Sequence, residues 1–178
     1  GCGHWKPFPP SELDEVIEPQ LHFRSYRGVN DLATSLVFFG IDDYRHLIDQ
    51  LAKMKFNVFY LQIYPFQPFV HYEFRGQKKT TGVLHYGWKL PIHSQTIGKE
   101  LFQGKSEYMN PDMEGTENYE ERNSVATEML HRVLAHAKNR GMETGLMFII
   151  NQFTDEFNKR LPDWSDRTYI PEENLKGT

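Results

Sequence analysis

Four polar side chains stand at or near the ends of short apolar runs. Arg27 lies in the first, LHFRSYRGVN, and Gln62 and Tyr64 close the second, FNVFYLQIY. Asn151 closes the third, TGLMFIIN. A guanidinium offers several N–H donors in a fixed fork, suited to adjacent oxygens on one ligand. Amide and phenol groups add donors and acceptors beside it. Trp88, with Tyr86 two residues before it, supplies aromatic surface of the kind that stacks on flat ligands. Each group also has a structural reading: Arg27 as half of an ion pair, Trp88 and Tyr86 as anchors of the loop that carries them.

Acid–base chemistry is harder to place. The dipeptide Asp155-Glu156 is the best-looking carboxylate pair, but two acids on a first helical turn need no catalytic role. Glu73, Glu100, Glu107, Asp112 and Glu114 fall between the second run and the next helix, and no spacing pairs any two of them. His71, His85 and His93 share that stretch without an HExxH or similar ligand pattern, so no metal site is expected. His131 and His136 read as partly exposed helix residues. No GxGxxG, P-loop or GxSxG motif occurs, so neither a nucleotide cofactor nor a serine nucleophile has a motif behind it, and no cofactor is expected. The catalytic acid and base, if there are any, are unidentified.

The elements that must carry these groups follow from periodicity. His22 to Gly28 reads as a strand. Tyr44, Leu47, Ile48, Leu51 and Ala52 make one helical stripe, with Asp42 and Asp43 at its start and Lys53 and Lys55 at its end. Phe56 to Ile63 reads as a strand buried on both faces. Asn118 and Glu121 have capping-box spacing, and Val125, Met129, Val133, Leu134 and Ala137 form the next stripe, ended by Gly141. Thr144 to Ile150 reads as a third strand, with a short helix from about Thr154 to Arg160. Strand and helix alternate, which implies parallel pairing. Pro65 to Glu117 has no sustained period, and so long a stretch is usually functional or else counts against the assignment.

Net charge is -4 and the only basic doublet is Lys78-Lys79, so a nucleic-acid partner is not expected. No run is long and apolar enough to span a bilayer. The single cysteine, Cys2, excludes an internal disulfide and a Cys-based zinc site. Gly1-Cys2-Gly3 followed by HWKPFPP fits the lipid-bearing cysteine and tether of a bacterial lipoprotein, or equally a boundary that happens to fall at a cysteine.

The segment Phe23-Arg24-Ser25-Tyr26-Arg27-Gly28, with Ile41 to Asn57 (IDDYRHLIDQLAKMKFN), resembles the start of the catalytic barrel in glycoside hydrolase family 20, the β-N-acetylhexosaminidases, and the related barrels of α-glucuronidases. Ala137 to Glu143 (AKNRGME) resembles the entry to that family's third strand, and Leu161-Pro162-Asp163-Trp164 sits near a later turn. The resemblance covers residues 22–64 well and 125–165 loosely. It implies that Arg27 binds sugar hydroxyls. It also implies the N-terminal portion of a (β/α)8 TIM barrel with a long loop after strand 2, an α/β fold. The departures matter too: Gln62-Ile63-Tyr64-Pro65-Phe66-Gln67 and Ile150-Asn151-Gln152-Phe153 lack the family's acidic residues.

The expectations are therefore residues 1–20 as an extended lead-in or tether and 21–178 as a partial barrel of about three βα units, the remainder lying outside this chain. The expected activity is hydrolysis of glycosidic bonds in a glycan or oligosaccharide, with Arg27, Gln62, Tyr64, Trp88 and Asn151 lining the sugar site. A non-catalytic carbohydrate-binding module is the alternative, favoured by the missing acids. A self-contained flavodoxin-like domain would need five strands where three are convincing. An exported, periplasmic or outer-membrane location with membrane anchoring through Cys2 completes the reading.

Overall fold

A computed structural model describes residues 18–29, 36–82, 86–149, 152–158 and 168–169. Its centre is a parallel sheet of three strands in the order β1 (Ser25–Val29), β2 (Val58–Ile63) and β7 (Glu143–Phe148). Two long helices, α1 (Ile41–Lys53) and α2 (Tyr119–Asn139), make the crossovers. The stretch between β2 and α2 carries two small antiparallel ribbons, β3 (Glu73–Phe74) with β4 (Gln77–Lys78) and β5 (Leu90–Pro91) with β6 (Glu107–Tyr108). Beyond β7 come β8 (Gln152–Phe153), the four-residue helix α3 (Asp155–Asn158) and β9 (Thr168–Tyr169), with β8 and β9 paired in a sheet of their own.

The expected portion of a (β/α)8 TIM barrel is not what forms. The described residues make a small α/β unit: three parallel strands, two long helices, and small ribbons beside them. A barrel needs strands tilted and staggered until the sheet closes on itself. Here the long stretch after β2 folds back into local antiparallel pairs instead of adding strands to the central sheet. β7 is also exposed along much of its length, with Leu146, Met147 and Phe148 each more than a third accessible.

The helices form where the stripes place them. Tyr44, Ile48 and Leu51 of α1, and Ala126, Met129, Leu130, Val133 and Ala137 of α2, are buried against Phe59, Leu61 and Ile63 of β2. The Asn118 side chain accepts from the Glu121 amide at 2.9 Å, capping α2. At its far end Gly141, at φ 77°, lets the chain reverse, and the amides of Gly141 and Met142 bond the carbonyls of Lys138 and Ala137. Asp49 of α1 clasps the two helices together, accepting from Arg140 Nε at 2.6 Å and lying 2.8 Å from His136 Nε2.

α1 ends in the same way with a costlier residue. Lys55 and Phe56 donate to Ala52 and Leu51, and Lys55 sits at φ 66°, in the left-handed region. A side chain there strains the backbone by about 1 kcal/mol. Lys55→Gly is expected to raise the unfolding free energy by about 0.5–1 kcal/mol in urea titration. No gain would show that this turn carries no such strain.

The amino ends of all three strands are stitched by Asn57. Its side chain accepts from the Arg24 amide at 2.8 Å and donates to the His22 carbonyl at 2.7 Å, while its own carbonyl accepts from the Glu143 amide at 2.9 Å. The long insertion is pinned to the core by single anchors. Phe69, Tyr86 and Met113 are buried in the main cluster. Asn110 ties residues 37–39 to the insertion, and Asp112 accepts from the Ile41 amide at 2.7 Å, capping α1 from across the fold.

Candidate functional site

Successive residues of a strand face opposite sides of the sheet. Phe59, Leu61 and Ile63 face the helices, so Val58, Tyr60 and Gln62 face the other way. The register then places Ser25 and Arg27 of β1, and Glu143, Gly145 and Met147 of β7, on that same side. Across the middle of the sheet run Arg27, Tyr60 and Gly145, in register. Arg27 is exposed and Tyr60 half-buried. Gly145 is needed for closeness: a Cβ there would lie 2.2 Å from the Tyr60 ring, so the ring rests over bare backbone. The Phe23 ring stands 6.2 Å from that of Tyr60, tilted by 45°, and is more than half exposed.

A wall rises at the carboxyl end of β2. Gln62 and Tyr64 are both buried, and the Gln62 side-chain amide donates to the Tyr64 hydroxyl. Tyr64 stacks on Phe66 with ring centres 5.4 Å apart, and Ile149 packs against the pair. The tight turn after β2 holds Tyr64 in place. Gln67 donates its amide to the Tyr64 carbonyl and accepts from the Tyr64 amide through its side chain, both at 3.0 Å. Arg27 reaches the same face two residues lower than Gln62. Strand spacing and rise put their Cα atoms about 8 Å apart.

Three of the five residues expected at a site are thus placed on one side of the sheet. Trp88 is half-buried in the insertion. Its neighbours pack toward the helices: Tyr86 meets Phe69 edge to face at 4.9 Å, and Gly87 abuts Arg122 of α2. Asn151 lies outside the described residues, as do Cys2, His85 and the segment around Trp164. Tyr60 and Phe23 belong to the face and were missed, although the alternation Tyr60, Gln62, Tyr64 could have disclosed the first.

Three of the candidate carboxylates hold structure. Glu156 accepts from the Thr80 amide at 2.9 Å and from the Thr81 hydroxyl at 3.1 Å, fastening α3 to the insertion. Glu107 pairs with Lys89 at 2.8 Å, and Asp112 caps α1. Glu143 is the one acidic residue of the three central strands, and it sits at their amino end. Among the described residues, no three His, Cys, Asp or Glu side chains are grouped to hold a metal ion, and no helix is long and apolar enough to cross a membrane. A hollow of about 370 Å³ lies within the insertion, lined by Lys89, Lys105, Glu107, Tyr108 and Glu114 among others. Its charges are already balanced between lysines and glutamates.

Comparison with known proteins places no relative beside this chain: no family model, no curated protein and no solved structure matches it.

Proposed function

We propose that the side of the parallel sheet turned away from α1 and α2 is a carbohydrate-binding face that takes a glycan or oligosaccharide without cleaving it. One observation carries the reading. An arginine and an aromatic residue, Arg27 and Tyr60, are neighbours in register and accessible to solvent, below a wall of Gln62 and Tyr64. Arg27 supplies donors to adjacent hydroxyls, and the Tyr60 and Phe23 rings supply apolar surface for a pyranose face. Hydrolysis, which the resemblance to family 20 implies, calls for two carboxylates flanking the bond, or one assisting a reactive substrate group. The only acid on the central strands is Glu143, at the wrong end. The reading is therefore binding alone.

The test is a glycan array followed by titration calorimetry on the best ligand, with product release measured in parallel. Wild type binds and releases no product. Arg27→Ala weakens binding roughly 10- to 100-fold, the range for hydrogen bonds from a charged donor, while thermal stability stays unchanged because the side chain is exposed. Binding that ignores Arg27→Ala, or the appearance of cleaved sugar, overturns the reading.

A further inference from the structure

Lys79 stands in an unusual place for a lysine. Its neighbour Lys78 is exposed, but Lys79 is 1% accessible. Its Nζ donates to the Gln67 carbonyl and, at 2.9 Å, to that of Val70. The rings of Tyr72 and Tyr119 each stand 5.7 Å from it. Tyr72 in turn stacks on Phe157 of α3, with ring centres 4.8 Å apart. The next two residues are held by Glu156, so the insertion is fastened twice, by the amine from within and by the carboxylate from α3. The carbonyl that Lys79 holds belongs to Gln67, whose side chain holds Tyr64.

A neutral amine has two N–H donors, and two carbonyls take them. Among the described residues, the third proton of an ammonium meets two aromatic rings and the nearby Glu156 carboxylate. Burial outweighs the opposing pull of Glu156, and the amine is pulled from its usual 10.5 down to about 7. The rings themselves stay protonated, since burial and then the Glu156 charge push the Tyr72 and Tyr119 phenols up to about 12. His71 also faces the cluster, its Nδ1 3.1 Å from the Tyr119 hydroxyl, and Glu120 lies beside Tyr119 on α2.

We propose that Lys79 is a proton-operated latch on residues 65–82, fastened when its amine is neutral and loosened when it is protonated, and that the turn holding Tyr64 opens with it. The closed turn favours the bare amine. An opened turn returns the amine to water, where it takes up a proton. Between about pH 7 and 10 each unit of alkalinity therefore shifts the balance toward the closed form by roughly tenfold. The inference goes beyond the carbohydrate reading and does not rest on it, because the latch can be observed with no ligand present.

Hydrogen exchange of the full chain followed by mass spectrometry, from pH 6.5 to 9.5 and corrected for intrinsic rates, tests it. Peptides covering residues 64–82 gain protection about tenfold per pH unit above 7 while exchanging faster than peptides from α2 at every pH, as a local opening requires. In Lys79→Met that gain disappears. Glu156→Gln keeps the amine and removes the charge that favours its protonated form, so the onset moves to lower pH; this variant decides the matter if Lys79→Met does not fold. His71→Gln leaves the slope intact. A wild-type profile flat above pH 7, residues 64–82 exchanging no faster than α2, a slope retained in Lys79→Met, or an onset unmoved by Glu156→Gln overturns the latch.

Discussion

Asn110→Ala is expected to lower the unfolding free energy by about 2–4 kcal/mol, read as a shift of the urea midpoint at constant slope. The side chain is fully buried and uses both halves of its amide. The nitrogen donates to the Val37 and Phe39 carbonyls at 2.8 and 3.0 Å, and the oxygen accepts from the Asp112 amide at 3.0 Å. Alanine leaves the buried Val37 carbonyl and the half-buried Phe39 carbonyl and Asp112 amide without this partner, at about 1–3 kcal/mol for a well-buried group and less for the others. Asp112 also caps α1, so the change spreads to that helix. Asn110→Asp loses the donor and sets a carboxylate against two carbonyls, and should be worse still. A loss below about 1 kcal/mol for the alanine variant would mean that the insertion is fastened to the core elsewhere.

The second large effect is on the pH profile of stability. Lys79 has a folded pKa of about 7 against 10.5 unfolded. Between those values the unfolded chain carries a proton that the folded chain lacks, so stability rises with pH from about 7 toward 10, by a few kcal/mol in all. Above pH 10 the trend reverses. Tyr72 and Tyr119 ionise readily when unfolded but hold their protons up to about 12 when folded, which favours unfolding. On the acid side Asp49 is held at about 2, first by its hydrogen bond from Arg140 and then by His136. Its contribution is complete above its unfolded value near 4 and is lost as pH falls toward 2. Denaturation at a series of pH values should show a maximum near pH 10. Lys79→Met should flatten the neutral-to-alkaline rise alone, and Asp49→Asn the acid limb alone. A wild-type curve level from pH 7 to 10 would show that Lys79 is ionised normally in the folded chain.

Both helices and all three central strands were legible because each rests on a local period or a cap. The buried stripe residues Tyr44, Ile48 and Leu51 recur at helical spacing, and Asn118 and Gly141 mark the ends of α2 where they were expected. The expectation of a barrel was wrong, because closure depends on how many strands join one sheet, and no short window records that. The insertion was opaque for a related reason: isolated aromatics and one asparagine hold it, at no regular spacing. Arg27, Gln62 and Tyr64 drew notice because polar groups at the ends of apolar runs stand out, and the register sets them on one side of the sheet. Lys79 was passed over as half of a small basic doublet, since nothing local separates its burial from the exposure of Lys78.

The insertion alternates between residues sunk in the core and tips with open space around them. Gly76 and Gly104 turn at φ 76° and 79° with nothing within 4 Å of where a Cβ would stand, and Ile97 is 99% accessible, whereas Phe69, Tyr86 and Met113 are sealed; additions fit beside those glycines and not in place of them. Evolutionary lengthening, a fluorophore or a grafted epitope therefore belongs at those tips, while trimming the stretch to a short connector would strip out part of the hydrophobic interior.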